Sequence, residues 1–317
     1  MSRHHHIFSR LIGDAEVLDP INTAVVFPLS EVALLGAMEA CERGLITPTL
    51  IGPRACLDTL AKACDINIST VDIVDVEAPE RAAAEGVALC RSGRAEALMK
   101  GSLHTDRFMK AILDRERGLR TQRRLSHVFV LDVPDYPRLL MISDAAVNIY
   151  PDLQAKADIA QNAIQLAHVL GINEPKVAIL SAVETVTPKI SSTIDAAALC
   201  KMADRGQITG GILDGPLAFD NAVNLKAAAI KHIHSPVAGQ ADILLVPDLE
   251  SGNMLAKQLE YLAASEAAGI VLGARVPIIL TSRADGAKTR LASCAVAVLL
   301  AHARRRAYAS SDYHRND

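Results

Sequence analysis

Short runs that are apolar almost from end to end alternate with longer segments of helical apolar spacing along nearly the whole chain. This alternation limits the fold more than any other feature of the sequence. "TAVVFP" (23–28), "TPTLIG" (47–52), "TVDIVDVE" (70–77) and "EALMKG" (96–101) are strand-like, with helical segments at 30–45 and 78–92 between them. The pattern restarts with a helix at 154–170, closed by Gly171. Then follow "KVAILSA" with helix 190–205, "GGILDGP" with helix 221–233, and "ADILLVPD" with helix 251–264. "AAGIVLGA" and "VPIIL" precede a last apolar helix from Leu291 to Ala303. Strands apolar throughout need cover on both faces, which parallel sheets joined by crossover helices provide. The spacing therefore predicts two α/β domains with mainly parallel sheets, separated near 134–150. There "HVFVLDVP" and "RLLMISD" flank a Pro-Asp-Tyr-Pro turn, as a hairpin or a sheet-to-sheet crossing.

Composition excludes several classes. Of the 317 residues 50% are hydrophobic, enough for a sizeable core, and the net charge is -3. With no Trp, five Tyr and five Phe, and no basic stripe, nucleic acid is not an expected partner. No uncharged apolar stretch reaches about 18 residues, so no membrane span is expected. The N-terminus lacks the apolar core of a signal peptide. Its His4–His6 run is expected to be solvated. The six cysteines lack CxxC spacing and read as reduced core thiols of a cytoplasmic protein. The polar tail after His302 is expected to fray, with Arg304–Arg306 matching a helix C-terminus.

Ligands of such sheets bind beyond the carboxyl ends of strands. Six polar insertions follow strand candidates, where a cleft could gather them: "KGSLHT" (100–105), "SDAAVN" (143–148), "SAVET" (181–185), "DGPLAFD" (214–220), "PDLESGN" (247–253) and "TSRADGAK" (281–288). In the first, Gly101 permits close backbone approach, and Lys100, His104 and Thr105 are donors at a helix start; helix capping is the plainer reading. Ser143, Asp144 and Asn148 are polar candidates in the second. Asp214 and Asp220 are an acid/base pair, part of a metal site, or caps and ion-pair partners, with Gly215 in a turn. Gly252 and Asn253 at a strand-to-helix junction, with Lys257 one turn on, suit an anion or are an ordinary turn. No P-loop, GxGxxG after an early strand, GxSxG elbow or metal-ligand spacing is present.

The last insertion is the richest. Ser282 donates a hydrogen bond, Arg283 offers a bidentate fork for phosphate, and Asp285 accepts a proton or caps the next helix. Lys288 and Arg290 sit at a helix start, where cations oppose the dipole by up to about 1 kcal/mol each. That placement makes sense beside an anion; otherwise they are two solvated cations.

"LMKGSLHT", "ISDAAVNIYPDLQAKADIAQNAI", "PKVAILSAVE", "DGPLAFDNA", "AGQADILLVPDLESGNMLAKQL" and "RVPIILTSRADGAKTRLAS" together resemble the phosphate acetyl/butyryl transferases, in order, from about Glu96 to Ala303. The resemblance implies acyl-CoA + phosphate ⇌ acyl phosphate + CoA, with no tightly bound cofactor. It also implies a homodimer and a fold like that of isocitrate and isopropylmalate dehydrogenases. In that fold a second domain (140–276) is inserted into a first (1–139 with 277–317), and the active site lies in the cleft. Carried over, Arg283 binds the phosphoryl oxygens and Ser282 the thiol or carbonyl. In the acetyltransferase branch a base lies some six residues past the Ser-Arg pair, a slot that here falls near Lys288 and Thr289. "TSRAD" instead resembles the butyryltransferase branch, with Asp285 as base unless the thiol is deprotonated otherwise. The alternatives are a metal-dependent dehydrogenase of similar fold, a non-catalytic acyl-CoA or acyl phosphate binding protein, and an acyltransferase that takes its acyl group from a carrier protein.

Overall fold

The computed structural model describes residues 6–282 and 285–313, with side chains from Ile7 to Ala307. In chain order the elements are α1 (His6–Glu16), β1 (Ile21–Val26), α2 (Glu31–Glu42), β2 (Ile46–Gly52), α3 (Arg54–Ala63), β3 (Asp72–Asp75), α4 (Pro79–Arg91), β4 (Ala97–Lys100) and α5 (Thr105–Leu113). There follow β5 (Ser126–Asp132), β6 (Leu140–Ser143), α6 (Leu153–Val169), β7 (Lys176–Leu180), α7 (Ser191–Asp204), β8 (Ile212–Leu217), α8 (Phe219–Val223), α9 (Leu225–Ile230), β9 (Ile243–Leu245) and α10 (Leu249–Leu262). The chain closes with β10 (Glu266–Leu272), β11 (Ile278–Ile279) and α11 (Ala287–Tyr313). Two compact units result, one from Phe8–Arg123 with the chain from Ala268 onward, the other from Arg124–Ala267. The sequence pattern put a break near 134–150, and the family resemblance put the bounds of the inserted domain at 140 and 276.

In the discontinuous unit the strand order is β3-β2-β1-β4-β11-β10. All neighbours are parallel except β10 and β11. In the inserted unit the order is β5-β6-β9-β7-β8, with only β5 and β6 antiparallel. The Pro-Asp-Tyr-Pro segment is thus the turn of a hairpin, Phe129 facing Ile142 across it. β4, β5, β6 and β9 are buried at every position, as their unbroken apolar patterns require. The apolar inner faces of the inserted unit's strands close on residues such as Leu131, Ile142, Ala178 and Leu244.

Caps set several helix starts. Asp152 accepts the Ala155 N–H at 2.8 Å at the start of α6, and Asp248 accepts that of Ser251 at 2.8 Å at the start of α10. Ser30 occupies the N-cap position of α2, but its side chain makes no capping bond. α6 ends as expected at Gly171, whose φ is +87°.

Four expectations are corrected. The segment 221–233 is two short helices rather than one, because Asn224 turns extended (φ -132°, ψ 112°) and caps the second through the Lys226 and Ala227 N–H groups. Asp214, Gly215 and Pro216 lie inside β8 rather than in a turn beyond it. β8 is an edge strand, where proline is tolerated, and the register shifts beside it. α11 runs past His302 to Tyr313. Its arginines act in mid-helix: Arg304 donates to the carbonyls of Arg275 and Ala274, and Arg305 forms a two-bond pair with Glu96 at 2.6 Å each. Finally, only Cys90 and Cys294 of the six cysteines are buried, and Cys56 is exposed. Burial pushes the Cys90 and Cys294 thiols up to about 12, which leaves them protonated and inert at neutral pH.

Candidate functional site

In the discontinuous unit, β4 and β11 are parallel neighbours, Leu98 facing Ile278 and Met99 facing Ile279. The loops that follow them therefore emerge side by side. Lys100 ends β4 with 2% exposure, and its ammonium donates to the carbonyl oxygens of Gly101 (3.3 Å) and Thr281 (3.5 Å). Carbonyl dipoles thus compensate a buried cation that would otherwise be costly. Gly101 lies against the turn after β1: its N–H donates to the Val26 carbonyl at 2.8 Å, and the Ser102 N–H to that of Phe27 at 2.9 Å. His104 is exposed at the N-cap of α5 without a capping bond, and Thr105 is the first helical residue.

The loop after β11 is tied to itself and to the helix it precedes. The Ser282 N–H donates to Asp285 Oδ2 at 2.6 Å, and the Asp285 N–H to the Ser282 carbonyl at 3.2 Å. Asp285 is 3% exposed, whereas Ser282 faces solvent. Arg283 lies outside the described residues. Arg290 is not a solvated cation, as one reading of the sequence had it. It is buried and donates to Thr281 Oγ1 at 2.7 Å and to the Ser282 carbonyl at 3.0 Å. The described chain thus gathers Lys100, Gly101, Ser282 and Asp285 at adjacent strand ends.

In the inserted unit, Asp144 is a hub of its own loop. Its Oδ1 accepts the Ala146 and Val147 N–H groups at 2.9 and 3.0 Å, and its Oδ2 accepts the Asn148 N–H at 3.1 Å and the Asn148 side-chain amide. Burial pushes the Asp144 carboxyl up from its ordinary range, against the pull of these donors. Asn148 also donates to the Leu125 carbonyl and accepts from Arg124, while Ser143 Oγ donates to the His127 carbonyl. Asp144 and Asn148 thus shape the loop.

α10 packs on that loop because Gly252 has no side chain. A Cβ there would stand 2.6 Å from the Asp144 carbonyl oxygen and 2.8 Å from Val246. The Gly252 N–H is used within the helix, donating to the Asp248 carbonyl, and Asn253 donates to the Ala145 carbonyl at 3.2 Å. Of the two readings of this junction, an anion site and an ordinary turn, this packing agrees with the ordinary turn. Lys257 pairs with Glu260 at 2.7 Å and stands 5.7 Å from the Phe129 and Tyr261 ring centres. Asp214 sits within β8, and Asp220 lies 3.7 Å from Lys231, the ion-pair reading of that carboxylate. Among the described residues no three His, Cys, Asp or Glu side chains are grouped to share a metal ion.

Three of the polar insertions named from the sequence meet at a cavity of this unit. It has a volume of about 550 Å³ beyond the ends of β7 and β9. Ser181, Ser191, Ser192 and Ser251 give it hydroxyls, and Leu180 and Phe219 are among its apolar walls. Ser181 and Ser192 share a hydrogen bond at 2.8 Å, and the buried Lys156 pairs with Asp195 at 2.7 Å. "SAVET" contributes Ser181 and Ala182, "DGPLAFD" Phe219, and "PDLESGN" Pro247, Asp248 and Ser251; the Ser191–Ser192 pair opening α7 was not singled out in the sequence.

A family model described as phosphate acetyl/butaryl transferase matches residues 80–298. The chain belongs to this family. Each sequence-predicted site residue, from Lys100 to Asp285, falls inside the span matched to the transferase family. The phosphate acetyltransferase of Rhizobium meliloti is 61% identical over 95% of each chain. That of Rickettsia prowazekii is 53% identical over 92% of this chain and 83% of its own. The phosphate butyryltransferase of Clostridium beijerinckii is 40% identical over 93% of this chain and 97% of its own. Identity to these two acetyltransferases is thus higher than to this butyryltransferase, although the Asp285 spacing leans toward the butyryl branch. Among solved structures, a branched-chain phosphotransacylase from Enterococcus faecalis aligns with a TM-score of 0.78 at 28% identity, covering 89% of this chain and 99% of that one. A 4-hydroxythreonine-4-phosphate dehydrogenase from Burkholderia phymatum aligns with a TM-score of 0.55 at 11% identity, covering 89% of this chain and 98% of that one, and shares the fold alone.

Proposed function

We propose that the protein is a phosphate acyltransferase acting on a short-chain acyl-CoA, acetyl-CoA foremost. The observation that carries this reading is the 61% identity, over nearly the whole of both chains, to a phosphate acetyltransferase. In the reaction a phosphate oxygen attacks the thioester carbonyl carbon. The C–S bond breaks as the C–O bond forms, and the proton of the phosphate passes to the departing CoA thiolate. No electrons are exchanged, so the chemistry calls for no redox cofactor.

The residues divide accordingly. Arg283 clamps the phosphate and offsets charge on the carbonyl oxygen as it develops. Ser282, exposed at the same loop, hydrogen-bonds the thiol or that oxygen. Lys100 holds the Thr281 carbonyl and thereby the loop. The hydroxyl-lined cavity of the inserted unit suits the neutral amide-bearing arm of CoA, which needs donors and acceptors on an apolar wall. A homodimer is proposed as its state of association. Among the described residues no helix is long and apolar enough to cross a membrane, in keeping with a cytoplasmic place.

The test is phosphate-dependent release of CoA thiol from acetyl-CoA and butyryl-CoA. Faster turnover of acetyl-CoA is expected, and no release from either thioester sinks the proposal.

Asp285 is assigned to the loop rather than to the proton, because it is buried and already accepts the Ser282 N–H. In the acyl-CoA-forming direction the thiol must ionise, with a pKa of about 8.5 by analogy with cysteine. A base would matter less above that pH. Asp285→Asn is therefore expected to slow acyl-CoA formation about tenfold, roughly 1.4 kcal/mol, equally on both sides of that pH. A loss that shrinks toward high pH would return the base role to Asp285.

A further inference from the structure

Arg290 is among the largest fully buried side chains, and its Nε has no hydrogen-bond partner among the described residues. Burying a guanidinium costs more than burying a hydrophobic side chain of similar size, so stability alone does not explain this choice. Burial pushes the Arg290 guanidinium below its ordinary value, and the nearby Asp285 charge opposes that. What the burial achieves is specific. One amino group donates to Thr281 Oγ1 at 2.7 Å and another to the Ser282 carbonyl at 3.0 Å. Both acceptors are at the start of the loop proposed to act on phosphate and thioester. The Asp285 carboxylate holds the same residue from its other side, through the Ser282 N–H at 2.6 Å.

The room for Arg290 comes from α2. Gly36 is buried there, and a Cβ on it would stand 2.6 Å from Arg290 Cδ and 3.1 Å from Arg290 Cβ. The glycine costs the interior of α2 helix propensity. It gives the arginine stem a channel along the helix to the loop.

We infer that Arg290 is a positioning residue for acyl transfer, holding Thr281 by its hydroxyl and Ser282 by its carbonyl, and that Gly36 holds it in register. The inference rests on the proposed transferase activity. It predicts a loss in turnover rather than in substrate binding, because a displaced Ser282 fails the transition state first.

The test measures kcat, KM for acetyl-CoA, KM for phosphate and Tm for Arg290→Met, Arg290→Lys and Gly36→Ala. Arg290→Met should lower kcat by about thirtyfold or more with both KM values within about threefold, the pattern of an interaction made in the transition state. Arg290→Lys keeps a donor for one of the two acceptors, so it should recover part of that kcat. Gly36→Ala touches neither the loop nor a substrate, and helix propensity favours it. It should nevertheless lower kcat about tenfold by displacing the arginine stem. If Arg290→Met does not fold, the other two variants decide. The inference is overturned if Gly36→Ala keeps wild-type kcat, if a folded Arg290→Met stays within about threefold of wild type, or if its loss falls on KM. Failure of the wild-type protein to transfer acyl groups would instead overturn the proposed function.

Discussion

Arg283→Ala is expected to lower kcat for acyl transfer by about 10²–10³, the range for removing one preorganised charge stabiliser. Phosphate brings charge that must be held against a carbonyl gaining more of it, and a planar guanidinium grips two oxygens at once. The loop around Arg283 is prepared for such a task. Ser282 before it and Asp285 after it are hydrogen-bonded to each other, and Arg290 fixes the Ser282 carbonyl from below. Arg283→Lys should recover only part of the rate, because an ammonium keeps the charge but loses the fork. Steady-state kinetics with varied phosphate read both effects. Activity of Arg283→Ala within about threefold of wild type, roughly 0.65 kcal/mol, would remove Arg283 from the clamp.

Gly101→Ala is expected to give the largest loss of stability. A Cβ at Gly101 would collide with the Val26 carbonyl oxygen and stand 2.5 and 2.6 Å from the carbonyl oxygen and carbon of Phe27. These are backbone atoms, and the parallel pairing of β1 with β4 holds them, Val26 facing Lys100. Phe27 is itself at φ 55°, a region non-glycine residues enter with difficulty, so the turn has little freedom to retreat. A cost of about 3 kcal/mol follows, the upper range for overpacking, with Tm lower by roughly 6 °C or more. Activity should fall as well, because Lys100 reaches the Thr281 carbonyl from the adjoining residue. Gly13→Ala is the control. No atom lies within 4 Å of its added Cβ, and α1 should gain up to about 1 kcal/mol. Equal melting temperatures for the two variants would contradict the steric argument.

Local pattern revealed the strands because burial on both faces leaves its mark inside each run; "HVFVLD" is buried at every position and reads so. The loops at the strand ends were legible for the complementary reason: polar residues interrupt a chain that otherwise wants to be covered. What stayed hidden depends on partners far along the sequence. Arg290 looks like a helix-start cation seeking an anion until Gly36 supplies a channel from another helix. Gly252 looks like an open phosphate turn until the 144–145 backbone fills it. Asp144 looks like a candidate ligand until its own loop supplies its donors. In each case the residue type announced that something polar or close was required there. The partner turned out to be the protein itself.

The central claim is most directly tested by stoichiometry. Purified protein is mixed with acetyl-CoA and inorganic phosphate; released thiol is followed with a thiol reagent, and acyl phosphate is trapped with hydroxylamine. Acyl transfer to phosphate predicts one acyl phosphate for each thiol and no release without phosphate. Thiol released without phosphate, or without matching acyl phosphate, would contradict it.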